Sequence, residues 1–209
     1  MCIENNMKES SSSSTSTSTA ATACAAAACA AAATATACAA AAAADQSSSH
    51  HALSCGWTLW CHLPHDTDWS LKSYIKLYDF NTVEQAVSVT EMLPPKLVMN
   101  CMLFLMREGI TPIWEDVRNR NGGCFSYKVS NKDVQDCWRQ LTYVLVGNSI
   151  SSNNGLLPAV NGITISPKKN FCIVKVWLAN CKFQNAAVIK EVVGITPHGC
   201  LFKKHTPEY

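Results

Sequence analysis

The sequence predicts an α+β domain: an antiparallel sheet with about three helices on one face and the other face left free for a ligand. Three observations carry this. Core-forming capacity begins abruptly, because residues 1–49 hold four charged side chains and no aromatic, whereas the rest of the 209-residue chain has the other 28 charges and every Trp, Tyr and Phe. From residue 50 onward, short strand-like segments follow one another with connections too brief for the crossovers of a parallel sheet. Helical periodicity interrupts them three times.

In chain order, Ser10–Thr19 is pure Ser/Thr and Ala20–Ala44 is 25 residues of Ala, Thr and Cys. That length is enough to span a bilayer, but the stretch has no Leu, Ile, Val or Phe, no basic flank and no aromatic belt. Residues 1–49 therefore read as a disordered or transiently helical tail, with no membrane span, and residues 50–209 as the folded domain. Trp57–Leu63 and Leu71–Phe80 read as strands around the polar turn Pro64–Asp68. A helix starts at Thr82, which forms a capping box with Gln85, and stops before Pro94-Pro95. Val98–Arg107 reads as a strand, Asn121-Gly122-Gly123 as a turn and Cys124–Val129 as the next strand. Val134, Trp138, Leu141 and Leu145 recur at helical spacing behind a Ser130 or Asn131 cap. Ile163–Ser166 and Phe171–Leu178 flank Pro167-Lys168-Lys169-Asn170 as a hairpin with a basic loop. A third helix is expected over about 185–193, ending at Gly194.

Seventeen basic and 15 acidic residues leave a net charge of +2, so any nucleic-acid contact must be local. The 12 cysteines do not form the framework of a secreted domain, since no signal peptide precedes them and several lie in low-complexity sequence. They read as reduced thiols of an intracellular protein. Cys55 with Cys61, and Cys172 with Cys181, are too widely spaced for a zinc site, so no metal is expected. His62 and His65 lie near Asp66 and Asp68, but no nucleophile or metal spacing completes a catalytic group. The chain reads as a binding protein without cofactor or catalytic residues.

Among the six tryptophans, Trp69 and Trp114 stand apart. Each follows a polar or Gly/Pro-bearing segment, His65-Asp66-Thr67-Asp68 for the first and Gly109-Ile110-Thr111-Pro112 for the second. Two loop-borne indoles can hold a flat ligand between their faces, and a cationic ring more tightly, because each face presents negative quadrupole. The Glu115 carboxylate beside Trp114 can accept two adjacent N–H groups together, a pattern guanine presents and adenine lacks. Partly buried loop aromatics are the plainer alternative for both tryptophans.

Ordered signatures across residues 51–200 or so resemble the eukaryotic translation initiation factor 4E family, which binds the messenger-RNA cap. They are His51-Ala52-Leu53, Trp57-Thr58-Leu59-Trp60, Phe80-Asn81-Thr82-Val83-Glu84, and Gly109-Ile110-Thr111-Pro112-Ile113-Trp114-Glu115-Asp116 with Gly122-Gly123 behind it. Trp138, Gly147 and Trp177 follow in the family's order. The resemblance implies a curved sheet backed on its convex face by three helices, with the cap in the concave face. It implies that Trp69 and Trp114 sandwich 7-methylguanine, that Glu115 accepts the guanine N–H pair, and that Trp177 touches the methyl group. Where the family has an Arg after the Gly-Gly pair, this chain has Cys124. Lys168 and Lys169 are the candidates for the phosphate cations, with Lys175 a weaker third.

On the helical face the resemblance implies a docking site for scaffold factor 4G and 4E-binding proteins, formed here by His51, Leu53, Val83, Glu84, Val87 and Arg139. Val87 replaces the anchoring Trp, and Arg139-Gln140 replaces a Leu-Glu pair, so weakened or retargeted docking is expected. The chain also ends at Tyr209, without most of the family's C-terminal loop. The expectation is a cytoplasmic, monomeric protein that binds capped messenger RNA in translation initiation or its regulation. A cap-binding repressor, or an interaction module with weakened binding to 4G, is the alternative.

Overall fold

The computed structural model describes residues 50–64 and 66–207, together with Ala35. The 1–49 tail expected from the sequence otherwise lies outside the described residues. Seven strands form one curved antiparallel sheet: β1 Ala52–His62, β2 Tyr74–Thr82, β3 Met102–Arg107, β4 Gly123–Ser130, β5 Val160–Pro167, β6 Phe171–Leu178 and β7 Leu201–Lys204. Their spatial order is β2-β1-β3-β5-β6-β4-β7. Among the described residues from 50 onward, three α-helices accompany it: α1 Val83–Met92, α2 Pro95–Asn100 and α3 Val134–Val146.

Strand parity separates the two faces, since successive side chains alternate across a sheet. Leu103 and Leu105 of β3, Ile163 and Ile165 of β5, and Val174 and Val176 of β6 point into one large core with Ala86, Leu97, Trp138 and Leu141 of the helices. The alternate residues Phe104, Met106 and Trp177 form a second, smaller cluster on the opposite face, together with Trp60, Tyr74, Met102 and Trp114. The helices thus cover one face and an aromatic patch occupies the other.

Local sequence accounts for most elements. The Thr82 hydroxyl accepts from Gln85 N at 3.3 Å, as a capping box requires, but Gln85 Oε1 reaches back to Asn81 N at 3.1 Å, one residue upstream of the usual partner. Val134, Trp138, Leu141 and Leu145 of α3 are all buried. Its N-cap is Asp133, whose side chain makes no capping bond; Ser130 instead ends β4 and its carbonyl accepts from Asp133 N. Gly122 and Gly123 are required by space: a Cβ on Gly122 would collide with the Leu178 carbonyl, and one on Gly123 would lie 2.6 Å from the Phe202 ring.

The three helices differ from the expected trio. Val98 was assigned to a strand, yet Pro95 at the first helical position starts α2, and β3 begins only at Met102. The helix expected over 185–193 is a single 3-10 turn, Ala186–Val188, capped by Asn185; Lys190 N then bonds Ile150 O and leaves the helical path. Strand β7 had no counterpart in the sequence reading.

Candidate functional site

A cleft of about 440 Å3 opens on the face away from the helices. Trp69, Trp114, Glu115, Trp177, Lys168 and Lys175 all line it, with Tyr74, Met102, Phe104 and Ser166.

The first wall is Trp69, which is 56% exposed. The loop before it is set by aspartates: Asp66 Oδ1 accepts from Asp68 N at 2.9 Å, and Asp68 Oδ1 accepts from Ser70 N at 2.8 Å. The bonds from Ser70 hold the Asp68 carboxyl below its usual range. Beneath Trp69 lies His62, the last residue of β1, with ring centroids 4.4 Å apart and planes inclined by 2°.

The second wall is Trp114. Gly109, at φ +76°, turns the chain out of β3, and Asp116 closes the loop by accepting from the Thr111 backbone N at 2.8 Å and the Thr111 hydroxyl at 2.6 Å. A buried hub holds the loop from below. Asn119 Nδ2 donates to the carbonyls of Thr111 at 2.9 Å and Ile113 at 2.8 Å, and its Oδ1 accepts from Asn161 Nδ2 at 2.9 Å. Asn119 O accepts from His205 Nδ1 at 2.7 Å, which leaves His205 Nε2 as the unprotonated nitrogen, buried without a hydrogen-bond partner. His205 stacks with Trp114 at 5.6 Å and touches Trp177 at 4.9 Å. Burial pushes its pKa down, against the bond to Asn119 and with the charge of Lys175, so it is held neutral.

Trp177 is 3% exposed and forms the floor, its indole N–H donating to Thr164 Oγ1 at 2.8 Å. Burial raises the Tyr74 phenol to about 12, helped by the nearby Glu115 carboxylate, so Tyr74 keeps its proton.

Cations gather at one end. Lys175 shares the cleft face with Trp177 because the two are i and i+2 on β6. Burial lowers its pKa, an effect opposed by Cys124 and reinforced by Lys203 and Lys168. Lys203 Nζ lies 5.5 Å from the Trp114 ring centroid. Lys169, named from the sequence beside Lys168, is exposed in the β5–β6 turn and does not line the cleft; Lys175 does. Cys124 is buried at the position where the resemblance implies an Arg.

On the helical face, His51 Nδ1 lies 2.7 Å from Glu84 Oε1, and this contact, the largest of several causes, holds the Glu84 carboxyl at about 2. Leu53 packs partly buried against the core, while Val83 and Val87 are exposed on α1. Arg139 bonds Asp136 at 2.9 Å and approaches Glu91 at 4.0 Å, and Glu91 also accepts from the Tyr143 hydroxyl at 2.6 Å. A polar chain thus runs across the α1–α3 seam.

The family model for eukaryotic initiation factor 4E matches residues 52–206. The chain belongs to that family. Initiation factor 4E-2 of Schizosaccharomyces pombe is 30% identical over 176 residues, covering 76% of this chain and 66% of the relative. The Candida albicans factor is 28% identical over 149 residues, covering 66% and 68%. The fold is shared with a schistosome eIF4E complexed with m7GpppG and 4E-BP, at TM-score 0.59 and 24% identity, over 65% of this chain and 75% of that one. It is also shared with Ascaris suum eIF4E-3 with m7G cap, at TM-score 0.58 and 22% identity, over 67% and 78%. Initiation factor 4E proteins are cap-binding factors rather than enzymes. Among the described residues no helix is long and apolar enough to cross a membrane, and no group of three His, Cys, Asp or Glu is placed to hold a metal.

Sequence reasoning did not single out Asn119, Asn161, Thr164 or His205, and it weighed His62, at the end of a predicted strand, only as part of an incomplete catalytic group with His65. Only His62 had a local signal, since it shares strand parity with Trp60 on β1.

Proposed function

We propose that this chain binds the 7-methylguanosine cap of messenger RNA and acts in translation initiation or its regulation. The observation that carries this is the convergence of Trp69, Trp114, Glu115 and Trp177 on one cleft from three different segments of the chain. Trp69 and Trp114 take the two faces of the methylated base, and desolvated cation–π contact contributes about 2 kcal/mol or more per face. Neutral guanine forfeits most of that, which makes binding methyl-dependent. Glu115 accepts the N–H pair on the pairing edge, and Trp177 forms the floor against the methyl group. Lys168 and Lys175, with Lys203 behind them, take the phosphates in place of the Arg that Cys124 replaces; Lys169 at the hairpin tip adds a more distant charge. Bound phosphate also relieves the mutual repulsion that helps to lower the Lys175 pKa.

The protein acts by binding, as a cytoplasmic monomer, with no catalytic step, metal or cofactor. Retention on 7-methyl-GTP resin, with elution by free cap but not by unmethylated nucleotide, tests the reading; flow-through under the same conditions would reject it.

One observation favours repression over initiation. Arg139 is already paired to Asp136 and Glu91 on the face expected to receive scaffold factor 4G, and Val87 offers little anchoring surface. A docked apolar helix would have to break or bury those ion pairs. Weakened contact with 4G or 4E-binding proteins through His51, Leu53, Val83 and Glu84 would leave a cap-binder that occupies messages without recruiting the scaffold.

A further inference from the structure

Trp69 is the more exposed wall of the cleft, and the Asp66 and Asp68 bonds that shape its loop all lie within the loop itself. What ties the loop to the sheet beneath the indole is His62. This side chain is 1% exposed, lies parallel to the indole at 4.4 Å, and meets Tyr74 edge-on at 5.0 Å. Its Nδ1 is 3.1 Å from Leu63 O and its Nε2 is 2.9 Å from Asp68 O. The two carbonyls lie at opposite ends of the segment leading from β1 to Trp69.

A carbonyl oxygen can only accept. A neutral imidazole has one N–H, so it satisfies one of these oxygens and turns a lone pair toward the other, whereas the imidazolium donates to both. The cation also gains from the face of the indole it covers. Among the described residues, the charged or titratable groups around the ring are Asp68 and Asp66 on its loop, Lys72 close to Asp68, and Tyr74 on β2 with Glu115 beyond it.

We propose that His62 is the positioning residue of the Trp69 wall: its doubly protonated ring ties Leu63 and Asp68 together behind the indole, so that protonation of His62 strengthens the grip on the ligand. This rests on the cap-binding reading above. It makes affinity respond to pH through a group that never touches the ligand.

The test compares wild type with His62→Phe, which keeps an aromatic ring beneath Trp69 and removes both N–H donors, in titrations with 7-methyl-GTP from pH 5.5 to 8. Any titration of the ligand is common to both proteins and cancels in the ratio of their affinities. The expected result is a variant roughly 3- to 10-fold weaker at the acid end, with the gap narrowing toward the alkaline end, where the neutral wild-type ring keeps only one of its two bonds. A ratio that is constant across the range would overturn the proposal. Nitrogen-15 NMR of the wild-type histidines is independent of whether the variant folds: both ring nitrogens of His62 should be protonated at pH 5.5, and a single N–H there would overturn the proposal equally. If wild type shows no methyl-dependent binding at any pH, the cap reading itself fails and this inference falls with it.

Discussion

Replacing Asn119 by aspartate exchanges one NH2 group for an oxygen and changes almost nothing in shape. The consequence is nevertheless large, because Asn119 is fully buried and its NH2 faces the carbonyl oxygens of Thr111 and Ile113 at 2.9 and 2.8 Å. Those two partners can only accept, which fixes the orientation of the amide. The aspartate loses both bonds and sets oxygen against oxygen in the loop that carries Trp114 and Glu115. Two buried hydrogen bonds at about 1 kcal/mol each, plus the cost of leaving buried acceptors unsatisfied, give a loss of about 2–5 kcal/mol. For a domain of this size that lowers Tm by roughly 5–15 °C. Urea unfolding at pH 7 should show a lower midpoint with an unchanged slope. A buried aspartate has a raised folded-state pKa, so the deficit relative to wild type should shrink as pH falls through that value, where the protonated acid regains one donor. A variant within about 0.5 kcal/mol of wild type at pH 7 would refute the hub as the support of the loop.

Three further outcomes are expected. His205 is held neutral by burial, so the unfolded chain takes up its proton first and native stability should decline as pH falls below about 6.5; urea midpoints should show a smaller acid decline in His205→Phe. Lys175→Met should weaken cap-analogue binding and flatten its salt dependence by roughly one phosphate contact, read from affinity at several salt concentrations. Arg139→Leu removes the Glu91 ion pair across the α1–α3 seam and the Asp136 pair within α3, and should raise co-precipitation of scaffold factor 4G; unchanged recovery would mean that Val87, not Arg139, limits docking.

What could be read from the sequence followed local rules. The capping box at Thr82, the stripe on α3 and the β5–β6 hairpin each depend on residues within a few positions of one another. Pro94-Pro95 marked the end of α1 correctly, but Pro95 also opens α2, and the apolar Val98 reads equally well as the start of a strand. Strand β7 is four residues long, and its pairing with β4 spans almost 80 positions, which no local pattern reveals. The walls of the cleft were legible because their loops carry distinctive runs. Their supports were not: His205 bonds Asn119 from 86 residues away, and Asn161 bonds it from 42. The contrast between Lys169 and Lys175 is different, because Lys175 shares the Trp177 face by i, i+2 parity within the expected strand Phe171–Leu178, whereas only the structure shows that Lys169 does not line the cleft.

The most direct measurement is the quenching of tryptophan fluorescence during titration with a 7-methyl cap dinucleotide, beside its unmethylated twin and with Trp114→Ala as a third arm. Stacking between Trp69 and Trp114 predicts saturable quenching that requires the methyl group and disappears in the variant. Equal, weak responses to both dinucleotides, or a response that survives Trp114→Ala, would contradict a cap held between the two indoles.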